Sequence, residues 1–247
     1  MTSDNTDPPA SLLVILIEMI AAPAQALRRI SAHHRRSWWL PALLAAALPA
    51  LYLWLTRHLA AELAARQIAL QLGAMPPEQA EAARPMIERF QTPEFIFLSG
   101  AGVLIIGLFL AWLVSSMLIY FGASLTGARM SMPQVWPAVV WAWLPFALRA
   151  GLQSLWAFLT DRMILYPGLS YLTASGDTVA DQTRPLFTLA AQVDLFALWH
   201  LVLVFLIFRH IARSSRGAAF MLTLLYAAIN LGLRLLPTLL GGAFGLG

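Results

Sequence analysis

The chain lacks cysteine, and among its basic residues it lacks lysine. Without cysteine it can form neither a disulfide nor a thiolate metal site. The missing lysine leaves arginine to supply every permanent positive charge, 16 in all. This reads as compositional drift and carries no mechanism. Charge of either sign is scarce: 11% of residues are charged and 60% hydrophobic, where a soluble domain is about 25% charged. Five separate apolar runs account for the difference, each near the length of about 20 residues that crosses a bilayer as a helix. Catalytic signatures are missing as well. There is no GxxxxGK[ST] loop, no HExxH and no GxSxG, which lowers the case for an ATPase, a zinc protease or a serine hydrolase. The spans hold no paired acids. The expectation is a protein that is not an enzyme and carries no cofactor. The net charge of +4 does not point to nucleic acid, because the arginines sit in small groups at the ends of apolar runs and form no continuous patch.

What is present predicts an all-α polytopic membrane protein with five transmembrane helices and an N-terminal interfacial amphipathic helix. Residues 1–36 form a polar tail and the interfacial segment. The tail carries Asp4 and Asp7, so the short run Ser11 to Ala22 does not read as a secretory signal. Glu18 and Pro23 interrupt SLLVILIEMIAAPAQALRRI, and Arg28 and Arg29 close it. One or two short helices are expected there, lying in the interface plane or packed on the protein's own bundle. His33 and His34 are adjacent and face different ways on a helix, so they make no metal site. Residues 37–239 form the membrane domain, with spans at about 38–55, 95–121, 135–159, 186–208 and 218–236. The polar stretch 56–94 reads as a helical arm broken at Met75-Pro76-Pro77. Trp38 and Trp39 suit an interfacial belt, and small residues such as Ser99, Gly100, Gly102 and Gly107 suit close helix approach.

The run 186–208 organises the rest, because it carries Asp194 and ends in Arg209, Arg213 and Arg216. Their spacing, i, i+4 and i+7, puts these three arginines on one helical face. Placing the N-terminus in the cytoplasm gathers Arg28, Arg29, Arg35, Arg36, Arg129, Arg209, Arg213 and Arg216 on the cytoplasmic side, as the positive-inside rule requires. These arginines are the candidate lipid-headgroup contacts, apart from Arg129. Laid antiparallel at about 1.5 Å per residue, the spans bring Arg149, Asp194 and Asn230 to similar depth. Gln153 is i+4 from Arg149, and Arg234 is i+4 from Asn230. An unpaired charge there costs about 3 kcal/mol on insertion scales. Arg149 and Asp194 are therefore expected to pair, with Asn230 in support, in an intramembrane cluster of Arg149, Gln153, Asp194, Asn230 and Arg234. His200 belongs to the same polar set.

Three stretches resemble a known family: FGASLTGARMSMPQVW before the third span, WAWLPFAL within it, and VDLFALWHLVLVFLIFRHIARSSRGAAF at the end of the fourth. Their order is similar to that of the YIP-type (Ypt/Rab-interacting protein) membrane family in its bacterial form. The resemblance implies a five-span fold with a cytoplasmic N-terminus in the bacterial inner membrane. Eukaryotic members bind Rab-type GTPases, and nothing in these residues carries that activity over. Two functions remain open. One is a non-enzymatic scaffold or adaptor whose partners are the lipid bilayer and a membrane protein or second copy. The alternative is a small transporter or channel using the Arg/Asp/Asn cluster, against which stands the lack of an internal repeat.

Overall fold

The computed structural model describes residues 11–33, 36–73, 75–177, 180–181 and 183–243. The polar tail, His34 and Arg35 lie outside them. The described residues are helical with no strand, and proline and serine punctuate the chain. Ser11 caps α1 (Leu12–Ala21), its Oγ accepting from Val14 N at 3.3 Å. Pro23, tolerated in a first helical turn but not in an interior, opens α2 (Pro23–His33). Then come α3 (Trp39–Gly73), α4 (Pro77–Phe90) and α5 (Pro93–Leu125), the last two again starting on proline. Gln134 Oε1 accepts from Ser131 N at 3.1 Å and fixes the start of α6 (Met132–Ala142). Pro145 offers no N–H, and the chain turns at Trp143 before α7 (Leu144–Thr160).

Among the described residues, four stretches are long and apolar enough to cross a membrane: Trp39–Gly73, Pro93–Leu125, Met132–Thr160 and Arg216–Leu236. The last lies within the terminal helix, Arg216–Ala243. The run 186–208 is not one helix. It is α8 (Pro185–Ala190), a turn at 191–194, and α9 (Leu195–Leu206), which continues through a π-helical turn at Ile207–Ile211. The terminal helix is thus α10. Two features make the break. Asp194 precedes the first residue of α9, a position where an acid suits the positive end of a helix. Leu169 N donates to Ala190 O at 3.1 Å, giving a carbonyl at the end of α8 a partner. From Leu195 to Ile211 the helix measures roughly 25 Å, against a hydrocarbon core of about 30 Å. The stretch 38–55 is only the first part of α3, which runs on through roughly the first half of the predicted arm to Gly73, before α4 starts at Pro77.

The chain divides into two compact units. Unit 1 comprises Met1–Leu44, Leu110–Phe146 and Leu195–Leu233; unit 2 comprises Ala45–Phe109, Ala147–Asp194 and Arg234–Gly247. In unit 1, α1 and α2 supply core: Ile15, Met19, Ala26, Leu27 and Ile30 are fully buried. The opposite side of α1 is exposed and apolar, with Leu13, Ile17 and Ile20 at 65, 57 and 58%. The short N-terminal helices are therefore core on one face and fit to enter lipid on the other. Trp141 is fully buried and donates Nε1–H to Ser37 Oγ at 3.1 Å. Around it run edge-to-face contacts from Trp38 to Trp136, Trp136 to Trp112, and Trp112 to Trp143, with centroids 6.1, 6.5 and 6.3 Å apart.

In unit 2 the α3–α7 approach is close. A Cβ at Gly151 would sit 3.5 Å from Leu48 Cδ1, and Ser154 Oγ lies 3.2 Å from Leu48 O. Of the small residues flagged in α5, Gly100 faces Leu53, whereas Gly102 and Gly107 have open space where a Cβ would stand. The loop after α7 returns to α3, where Tyr52 OH accepts from Ile164 N at 3.1 Å.

Candidate functional site

In unit 2, Arg149 on α7 places Nη1 2.7 Å from Asp194 Oδ2, with side chains 27% and 14% exposed. A pair this close and this shielded is held by its mutual charge, because removing either partner leaves the other desolvated. Arg234 at the unit 2 end of α10 donates to Gln192 Oε1. Gln192 was not singled out in the sequence, because inside a continuous helix its position carries no special role. The turn at 191–194 is what presents Gln192 and Asp194 together. Gln153 is partly buried one turn beyond Arg149. Asn230 belongs to unit 1, and its amide donates to Tyr226 O of its own helix at 2.9 Å.

The turn owes its form to Gly168, at φ +60, where an added Cβ would fall 2.7 Å from Val193 O and 3.0 Å from Ala191 O. Only a residue without a side chain lets the loop lie against these carbonyls. Further along the same loop Asp181 is buried and accepts from Ser175 N at 2.9 and 3.0 Å and from Arg184 Nη1 at 3.0 Å. Burial pushes its pKa up, but the Ser175 hydrogen bonds and the Arg184 charge outweigh that and hold it below the ordinary value.

Unit 1 contains a second buried polar chain. The ring of His200 is enclosed, with Nδ1 2.7 Å from Ala142 O and Nε2 3.0 Å from Tyr226 OH. A carbonyl only accepts, so Nδ1 carries the proton. In the neutral ring Nε2 then accepts from Tyr226, whose oxygen accepts from Ser115 Oγ at 3.0 Å. The Ala142 carbonyl is free for this because Phe146 N bonds to Trp143 O instead. His200 stood out in the sequence as a polar residue in an apolar run. Tyr226 and Ser115 did not, since a tyrosine or serine in a span is unremarkable until its partner is known.

Arg28, Arg29, Arg36, Arg129, Arg209, Arg213 and Arg216 all fall in unit 1, whose acid among the described residues is Glu18. Arg29 pairs with Glu18 at 3.0 Å. Arg28 donates to His210 Nδ1 at 3.4 Å, and Arg209 to Ser214 O at 3.1 Å. Arg209, Arg213 and Arg216 do not share one helical face. The π turn ends at Ile211, Arg213 adopts φ +56, and Arg216 begins α10. Among the described residues no group of three or more His, Cys, Asp or Glu is placed to hold a metal ion.

Helices of membrane length, with Arg149 and Asp194 paired to each other, define a polytopic all-α membrane protein. The chain belongs to the Yip1 domain family, whose model matches residues 17–236. No curated protein and no solved structure matches it.

Proposed function

We propose that this multi-pass Yip1-domain protein is a non-enzymatic scaffold or adaptor that binds membrane partners or lipid, seated in a bacterial inner membrane with its N-terminus in the cytoplasm. One observation carries the reading: the arginines of unit 1 face a single acid among its described residues. Such an excess suits the cytoplasmic leaflet, where anionic headgroups attract each nearby basic residue by about 1 kcal/mol. The exposed face of α1, with Leu13, Ile17 and Ile20, adds an apolar surface beside it. A second reading, a small transporter, is supported by the partial exposure of the Arg149–Asp194 pair, since an intramembrane ion pair that water reaches suits a ligand path.

The test reconstitutes the full chain. Photo-crosslinkers at Leu13 and Ile17 are expected to capture protein partners or lipid in native membranes, and liposomes holding the protein are expected to show no solute or ion flux. Flux that Asp194→Asn abolishes would replace the scaffold with the transporter.

A further inference from the structure

Two cavities of unit 1 are lined by neighbouring residues, and their chemistries are opposite. The first, of about 530 Å³, runs between α5 and α10 and is apolar, lined by residues such as Met117, Phe121, Leu125, Leu222, Leu225 and Ile229. Its size suits a single small ligand or chain, for which pockets run roughly 300–1,000 Å³. Phe208 and Gly122 also line it, and a Cβ at Gly122 would lie 3.4 Å from Leu222 Cδ2 and 3.6 Å from the Phe208 ring. The second cavity, of about 490 Å³, is lined by Thr126, Gln134, Ser214, Arg129 and Arg213 among others. The two are joined through bonded neighbours. Leu125 of the groove precedes Thr126 of the basic cavity, Thr126 Oγ1 lies 3.2 Å from Ser214 Oγ, and Ser214 N donates to Phe208 O at 3.1 Å.

Among the described residues no acid lines the basic cavity, and their ion pairs involve neither Arg129 nor Arg213. Arg213 is held at φ +56, a conformation that an L-residue other than glycine adopts only against steric cost. Backbone strain of this kind is kept where the surrounding structure over-determines it, often at ligand clamps. An apolar trough between two membrane-length helices, ending at two arginines that have no carboxylate partner among the described residues, has the amphipathic pattern of one molecule class.

We propose that these joined cavities bind one anionic glycerophospholipid, its phosphate between Arg129 and Arg213 and an acyl chain in the groove between α5 and α10. The charge of the mouth selects the headgroup, and the groove opens among helices that lie in lipid, so the chain needs no aqueous passage. This rests on the scaffold reading and makes a lipid one of its specific partners.

The test is native mass spectrometry of the full chain released from nanodiscs of mixed phosphatidylglycerol and phosphatidylcholine, beside labelling with a phosphatidylglycerol that carries a photoreactive acyl chain. The wild-type protein is expected to retain one phosphatidylglycerol and to be labelled at Met117, Phe121 or Leu225. Arg129→Gln with Arg213→Gln is expected to cut that retention about 10- to 30-fold and to leave phosphatidylcholine unchanged. Arg213→Gly alone relaxes the left-handed backbone while removing one charge, so lipid loss with an unchanged thermal unfolding midpoint is assigned to the charge. Leu225→Trp, which fills the groove, is expected to move the label elsewhere. Unchanged retention in Arg213→Gly and in the double variant would overturn the proposal. So would displacement of the lipid by millimolar inorganic phosphate, which would make the mouth a free-anion site, and so would a second copy or a peptide cross-linking into the groove instead of lipid. Crosslinked protein partners without retained lipid would leave the scaffold reading standing and this site refuted; lipid retention together with flux would do the reverse.

Discussion

Arg149 and Asp194 illustrate what a single pair of residues can be made to say. In a double-mutant cycle, Asp194→Asn and Arg149→Gln should each destabilise the protein by about 1–3 kcal/mol, because each leaves a partly desolvated charge alone. The combined change should cost clearly less than the sum. Thermal unfolding in detergent reads both, and strict additivity would mean the two side chains are not coupled. Asp181 makes a different prediction, set by pH. Its folded pKa lies below the ordinary value, so its contribution is full above the unfolded carboxylate range, near 3.9. It is lost as pH falls through the folded value. Amide exchange at Ser175 should therefore be constant from pH 7 to 5, after correction for intrinsic rates, and protection should weaken below about pH 4. Loss of protection already at pH 6 would assign the loop's order to some other group. The Arg149–Asp194 pairing followed from the cost of leaving either charge alone in an apolar run, even though the depth count behind it took 186–208 as one helix. The partner of Arg234 was not, because Gln192 gains its role from a turn that hydrophobicity does not encode.

At the scale of elements the break at 191–194 matters most. The run Leu186 to Phe208 is apolar nearly throughout, so hydropathy joins it into one span, and Asp194 looks like a charge within a helix. The features that divide it are a helix-starting acid and a glycine in a distant loop, and only the second is decisive. Gly168→Ala should cost about 1–3 kcal/mol for the left-handed backbone alone, and contact with the Val193 and Ala191 carbonyls adds to it. Gly102→Ala, with nothing within 4 Å of the new Cβ, should be neutral or stabilise by up to about 1 kcal/mol. Equal effects of the two in thermal unfolding would show that the loop does not shape the turn. The other misread element, the arginine stripe 209–216, fails for a related reason: the π turn and the left-handed Arg213 end the helix before the stripe is complete.

For the molecule as a whole, membrane sidedness tests the number of crossings. Between Gln25 on α2 and Ser215 before α10 lie α3, α5, α6–α7 and the short helix Leu195–Ile211. If all cross, Gln25 and Ser215 share a side; if the short one does not, they lie on opposite sides. With no native cysteine, Gln25→Cys and Ser215→Cys can each be probed with a membrane-impermeant maleimide. Both should stay unlabelled in intact cells and react once the membrane is permeabilised. Labelling of Ser215→Cys alone would reduce the crossings to four. The class of fold was open to sequence because length and apolarity decide it. The division into two compact units was not, since each long helix contributes residues to both and no linker marks the boundary.

Near the unit 2 part of α3, Arg57 stacks 3.8 Å over the ring of Trp54, and Trp54 meets Phe97 edge-on at 5.1 Å. An aromatic paired with a cation marks a membrane edge, yet α3 continues helically to Gly73. Those further 16 residues amount to roughly 24 Å of unbroken rod. The turn at Pro76-Pro77 then stands at the far end of that rod, and α4 leads back toward the same edge, because Phe90 at its end meets Phe95 at 4.8 Å and Phe97 meets Trp54. The arm is a post with both feet at the bilayer surface, and only its tip stands clear of the headgroups.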